Sequence, residues 1–137
     1  MIVDASVAFK WLVAEDDSPL ATRLLQRDDL SSPFVMLAEV GNALSKRLRN
    51  GQMNDGGAAE KLTGLPKLVT LVDEAPYLGA ALDLAVAINH SFYDCIYFAM
   101  ADARGEPLVT SDGVFARKVR IKRPGAKLLL LTEAAEI

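Results

Sequence analysis

The chain has 137 residues, 51% apolar and 24% charged, which fits one folded domain over residues 1–137 and argues against disorder. Its single cysteine, Cys95, excludes an intrachain disulfide framework and a cysteine-rich zinc site, and no apolar run reaches the ~18 residues of a membrane span. A net charge of −3 makes nucleic-acid binding by overall charge alone a poor expectation, and MIVDAS has no basic leader, so a reducing, cytoplasmic setting is expected.

Met1-Ile2-Val3 reads as a short strand ending at Asp4. Ser6 is a candidate cap for a helix carrying Val7, Phe9, Trp11, Leu12 and Val13. Ser18-Pro19 signals a second helix start, with Leu20, Leu24 and Leu25. Leu30-Ser31-Ser32 is a short strand candidate. Pro33 is expected to open a long helix with Leu37, Val40, Ala43, Leu44 and Leu48 on one face and Gly51 as its stop. Asn54-Asp55 starts a helix weakened by Gly56, Gly57 and Gly64. Leu68 to Val72 reads as a buried strand and Pro76 to Asn89 as a helix. Ser91 is expected to cap a helix from Phe92 to Ala103, ended by Gly105. A strand over Pro107 to Thr110, a helix over Val114 to Val119 and a strand over Ala126 to Leu131 complete the pattern, followed by the acidic tail TEAAEI. Strands alternating with helices predict an α/β fold with a parallel sheet covered on both faces.

Charge is unevenly placed. Leu68 to Asp102 contains no Lys or Arg but holds Asp73, Glu74, Asp83, Asp94 and Asp102. The next stretch is basic, with Arg104, Arg117, Lys118, Arg120, Lys122, Arg123 and Lys127. A solvated helix face accounts for such a run; so does a strip that holds an anionic substrate.

Four acids stand out. Asp4 and Asp112 each follow an apolar strand pattern, and ligands in parallel α/β sheets bind beyond the carboxyl ends of strands. Glu39 and Asp94 lie inside apolar helix patterns. Each has an ordinary reading: Asp4 as a helix cap, Asp112 as a Ser-Asp-Gly turn residue, Asp94 as a first-turn acid. Together they suggest one acidic pocket. Two like charges 4 Å apart repel by about 4 kcal/mol at an effective dielectric of ~20, so such a pocket takes up protons or a divalent metal. All-oxygen ligation selects Mg²⁺ or Mn²⁺, and phosphoryl transfer is the chemistry this arrangement serves.

The segments IVDAS, AEV around Glu39, FYDCIYFAMA around Asp94 and LVTSD at Asp112 resemble the PIN-domain ribonucleases, and in particular the VapC toxins of toxin–antitoxin pairs. The resemblance spans nearly the whole chain. It implies a three-layer α/β/α sandwich around a short parallel sheet, and a metal-dependent endoribonuclease leaving 5′-phosphate and 3′-hydroxyl ends. It places Asp4, Asp94 and Asp112 on the metal, with Glu39 completing the shell directly or through water. Ser6 and Thr110 match its supporting hydroxyl positions, whereas Cys95 stands where Ala is commoner. A homodimer and inhibition by a cognate antitoxin are implied too.

Arg117, Lys118, Arg120, Lys122 and Arg123 are candidate contacts to RNA phosphates. Lys46, Arg47 and Arg49 complement the dipole of the Glu39 helix. Trp11 is read as core, or as a partner contact; His90 as structural; Asn42 as a surface amide, or as a group steering Glu39. Two other functions compete: a housekeeping RNA-processing nuclease without an antitoxin, and a receiver-type signalling domain. The second lacks paired acids after the first strand and a Lys after the last.

Overall fold

The computed structural model describes residues 1–134. Five strands form one parallel sheet: β1 (Ile2–Val3), β2 (Ser31–Pro33), β3 (Thr70–Val72), β4 (Leu108–Thr110) and β5 (Leu128–Leu130), in the order β3-β2-β1-β4-β5. The helices are α1 (Ala5–Leu12), α2 (Ser18–Leu24), α3 (Val35–Arg49), α4 (Ala58–Gly64), α5 (Leu78–Ile88), α6 (Phe92–Arg104), α7 (Gly113–Lys122) and α8 (Leu131–Ala134), with single 3₁₀ turns at Leu65–Lys67 and Ala75–Tyr77. The chain builds outward from β1 to β3, returns across the sheet through α5 and α6, and then builds outward again to β5. Right-handed crossovers therefore put α1 to α4 on one face and α5 to α7 on the other. The packing of α1 on α3, α3 on α4, α5 on α6 and α5 on α7 agrees with this. This is the expected three-layer α/β/α sandwich.

The three central strands are wholly buried, as a parallel sheet covered on both faces requires. The edge strand β3 is not, so the expected buried run from Leu68 shortens to three residues, and Leu68 is exposed. On the opposite face α6 is the central element. Residues Cys95 to Ala101 are all buried, and the helix touches β1, β2 and β4. A helix apolar all round is one enclosed by its neighbours. Trp11 packs against the core, and its indole Nε1 donates to Ala21 O at 2.7 Å. Among the described residues no helix is long and apolar enough to cross a membrane.

Several expected boundaries move, each for a local reason. The cap of α1 is Asp4 rather than Ser6: Asp4 has extended backbone and accepts from Val7 N. Asp17 precedes α2, while Ser18 uses its hydroxyl to accept from Glu15 N. Pro33 ends β2 instead of opening α3, because its neighbours Ser31 and Ser32 pair with β3 and the chain becomes helical only at Val35. The helix expected to begin at Asn54-Asp55 begins at Ala58, after Gly56 and Gly57 at positive φ. The strand expected to run to Leu131 stops at Leu130, and the tail turns helical as far as Ala134. The rest of the acidic tail, 135–137, lies outside the described residues.

Candidate active site

The strand order places the switch point between β1 and β4, whose chains depart in opposite directions. A crevice opens at such a point beyond the carboxyl ends of the strands. The register pairs Ile2 with Leu108 and Val3 with Val109, so Asp4 emerges beside Thr110, and Asp4 N donates to Val109 O at 3.3 Å. A cleft of ≈ 350 Å³ here is lined by Asp4, Ser6, Glu39, Asp94 and Asp112, with Lys10, Glu15 and Arg47 on the same wall.

Asp4 and Asp112 serve two purposes at once. Each caps a helix through one carboxylate oxygen: Asp4 Oδ1 accepts from Val7 N at 3.2 Å, and Asp112 Oδ1 from Phe115 N at 3.0 Å. Capping engages only Oδ1 of each carboxylate, and both side chains line the cleft. The cap reading of Asp4 therefore holds, and Asp112, read as a turn residue, is a cap as well. Ser6 ties the two strand ends together, donating to Asp4 Oδ1 at 2.6 Å and accepting from Ser111 N at 3.0 Å. Thr110 is fully buried, and its Oγ1 accepts from Asp112 N at 3.0 Å. Ser111 Oγ is a buried oxygen with no hydrogen-bond partner among the described residues.

Glu39 reaches the cleft from α3, where Tyr97 on α6 donates its hydroxyl to Glu39 Oε1 at 2.6 Å. Asn42 is exposed and does not fill that steering position. Asp94 lies in the first turn of α6, and its Oδ2 is 2.7 Å from Nε2 of His90. The same His90 nitrogen is 3.9 Å from Asp112 Oδ2. His90, read from the sequence as structural, thus faces two of the four acids. Spacing could have flagged Tyr97, three residues after Asp94 on the same face of α6; His90 lies ahead of that helix, in the connection from α5, where helical spacing does not apply.

Burial dominates the electrostatics. Asp4 is only 5% exposed, and its carboxyl is pushed up to about 6, although Ser6, Thr110 and Val7 N pull it back. Burial raises Glu39 and Asp94 as well; Asp94 and Asp4 push Glu39 further, and Asp112 does the same to Asp94. Among the described residues no Lys or Arg lies within 4.0 Å of any of these four carboxylates. Lys10 is engaged instead by Asp17 and Glu15, at 2.8 and 3.2 Å, and Arg47 by Glu15 at 3.0 Å. Arg47 also stacks over Phe9, so it is a cleft residue as well as a helix-end charge. Arg120 is held by Glu133 and Leu128 O, and Arg123 by Asp102. Lys118 donates to Asn89 O at 2.7 Å, and Arg117 is exposed on α7. Burial pushes the Cys95 thiol up to about 11, so it offers no thiolate nucleophile.

A half-buried, like-charged oxygen cluster with its capping oxygens already spent is a donor set suited to a hard dication. His90, Asp94 and Asp112 also bring one ligand atom each within 4.8 Å of one another.

This fold and site place the chain in a class of nucleases, and the comparisons agree: the PIN domain family model matches residues 1–121, and the chain belongs to that family. Within it, the relatives carry VapC names. The chain is 29% identical over 118 residues to Ribonuclease VapC1 of Mycobacterium tuberculosis, covering 84% of this chain and 87% of that one. It is 30% identical over 138 residues to Exonuclease VapC9 of Pyrobaculum aerophilum, covering 98% and 96%. The crystal structure of PAE2754 from Pyrobaculum aerophilum superposes with a TM-score of 0.75 at 26% identity, covering 98% and 92%. PIN nucleases are in general dependent on divalent metal, and the acidic cluster here fits that dependence.

Proposed function

We propose that this protein is a metal-dependent endoribonuclease, the toxin of a toxin–antitoxin pair. The observation that carries the reading is the convergence of Asp4, Glu39, Asp94 and Asp112 on one cleft at the switch point, with no Lys or Arg within 4.0 Å of their carboxylates among the described residues. Asp4, Asp94 and Asp112 would hold Mg²⁺ or Mn²⁺, with Glu39 completing the shell. When bound, the ion acidifies water and offsets the charge that develops on the phosphate.

The chain's own groups do the remaining work. Glu39, raised by burial and steadied through Oε1 by Tyr97, takes the proton of the attacking water. The water oxygen bonds to phosphorus, the bond to the 3′ oxygen breaks, that oxygen takes a proton from solvent water, and a 5′-phosphate and a 3′-hydroxyl result. Ser6 and Thr110 keep Asp4 and the Asp112 turn in register. Lys10 and Arg47 supply cations to an RNA phosphate that displaces Glu15 and, at Lys10, Asp17; Arg117, Lys118 and Arg120 lie beyond the cleft wall, on α7.

A covalently closed RNA circle tests the reading. With Mn²⁺ the circle should be cut to a linear product bearing a 5′-phosphate, and chelation should stop the reaction. Cutting should weaken as salt rises, because phosphate contacts release counterions. An intact circle beside a degraded linear RNA would instead make the protein an exonuclease, the activity in the name of its relative VapC9.

The antitoxin reading rests on the VapC relatives. A homodimer fits the exposed apolar row Leu78, Leu82 and Val86, at successive turns of α5, together with Ile121 on neighbouring α7. Light scattering of the free protein at twice 14.8 kDa is the expected result.

A further inference from the structure

His90 is held from both sides. Its Nε2 is 2.7 Å from Asp94 Oδ2, and its Nδ1 is 3.4 Å from Lys118 Nζ, which also donates to Asn89 O at 2.7 Å. An ammonium group has donors and no acceptor, so the ring nitrogen facing it carries the lone pair. The ring proton then sits on Nε2 and is donated to Asp94. We propose that His90 is a positioning residue for Asp94, set in its donor tautomer by Lys118, and that it is not itself a metal ligand. The proposal rests on the metal reading of the carboxylates given above.

Geometry around the ring supports a fixed donor. Asn89 adopts φ 50°, in the left-handed region, and ends α5; among the described residues it is the one non-glycine residue at positive φ. His90 N donates to Ala85 O at 3.1 Å, which anchors the backbone beneath the ring. The Phe115 ring packs against the imidazole at 4.9 Å between centroids. The side chain is only 12% exposed, so the ring has little room to swing away. The result is a chain of contacts from α7 through the α5–α6 connection into the first turn of α6. Its product is a carboxylate with Oδ2 tied down and Oδ1 without a hydrogen bond among the described residues. Outer partners of this kind orient ligands, and removing them costs roughly 10- to 100-fold in metal affinity.

The alternative role, direct ligation through Nε2, needs a lone pair there. It would put a proton on Nδ1 facing the Lys118 ammonium, two donors in opposition. The two roles separate in a Mn²⁺ titration of the whole protein, followed by calorimetry and by the metal-induced rise in melting temperature. His90→Ala should bind Mn²⁺ about 10- to 100-fold more weakly. His90→Gln should recover affinity to within a few-fold of the parent, since a glutamine amide can donate to Asp94 Oδ2 from the place of Nε2. Lys118→Met should weaken binding in the parent, where it frees the tautomer, and should have no effect in the His90→Gln background, where there is no tautomer to set. A merely structural role for His90 would not produce that non-additivity.

Three results would overturn the proposal: His90→Gln binding as weakly as His90→Ala, His90→Ala binding like the parent, or Lys118→Met acting equally in both backgrounds. Absence of Mn²⁺ binding by the parent protein would overturn the metal reading itself and is recognisable as such. Melting temperatures without metal report whether each variant is folded.

Discussion

Asp4→Asn should lower RNA cleavage on the order of a thousandfold and, in metal-free protein near neutral pH, raise the melting temperature by several degrees. The first effect follows from losing a ligand to an ion whose charge stabilisation is worth several kcal/mol, at about 1.4 kcal/mol per tenfold. The second follows from burial. The Asp4 carboxyl is raised from 3.8 to about 6, so holding it ionised costs the native state roughly 3 kcal/mol near neutral pH. Asparagine removes that charge while its side-chain oxygen still accepts from Val7 N, so the cap of α1 survives. Cleavage assays and thermal melts on one preparation check both effects. A variant that loses activity and stability together would make Asp4 a structural cap, and one that keeps cleaving would remove it from the site. Opposite signs mark a group retained for function at the expense of stability.

The same carboxyl sets a pH dependence with opposite signs for folding and for metal. A raised native pKa means that the folded protein keeps its proton where the unfolded chain has lost it, so the slope of stability against pH is negative between the two values. Metal-free protein should therefore lose stability as pH rises from about 4 to about 6, and the loss should level off above that range. Glu39 and Asp94, also raised, add to the loss, whereas Asp29, Glu106 and Glu133, lowered by basic partners, oppose it. Subtracting the Asp4→Asn curve isolates Asp4. Metal affinity should run the other way, rising through the same window, because a dication needs the ionised carboxylate. Calorimetry in two buffers of different ionisation enthalpy should show proton release below pH 6. A difference curve flat across that window would mean that burial does not perturb Asp4.

Much of the fold was legible because its signals are local. Apolar runs ending in Asp4 and near Asp112, a Gly105 stop after α6, and strands alternating with helices need only neighbouring residues to be read. The errors were local too. A serine two residues after an aspartate looks like the cap, yet the aspartate takes that place, because Asp4 has the extended backbone from which its oxygen reaches Val7 N while Ser6 is already helical. Pro33 reads as a helix start, but pairing with β3 keeps it in the sheet.

The sequence by itself singled out the four acids that line the cleft, since a carboxylate beyond a strand or inside an apolar helix face is conspicuous along the chain. Only the tertiary structure decided what surrounds them. Tyr97 meets Glu39 across 58 residues, and Ser6 meets Ser111 across 105. Lys118 reaches His90 from another helix, and Lys10 and Arg47 share the cleft wall with Asp94 and Asp112. The reason is topological: the order β3-β2-β1-β4-β5 sets residue 4 beside residue 110, and no periodicity within either segment encodes which strand becomes its neighbour.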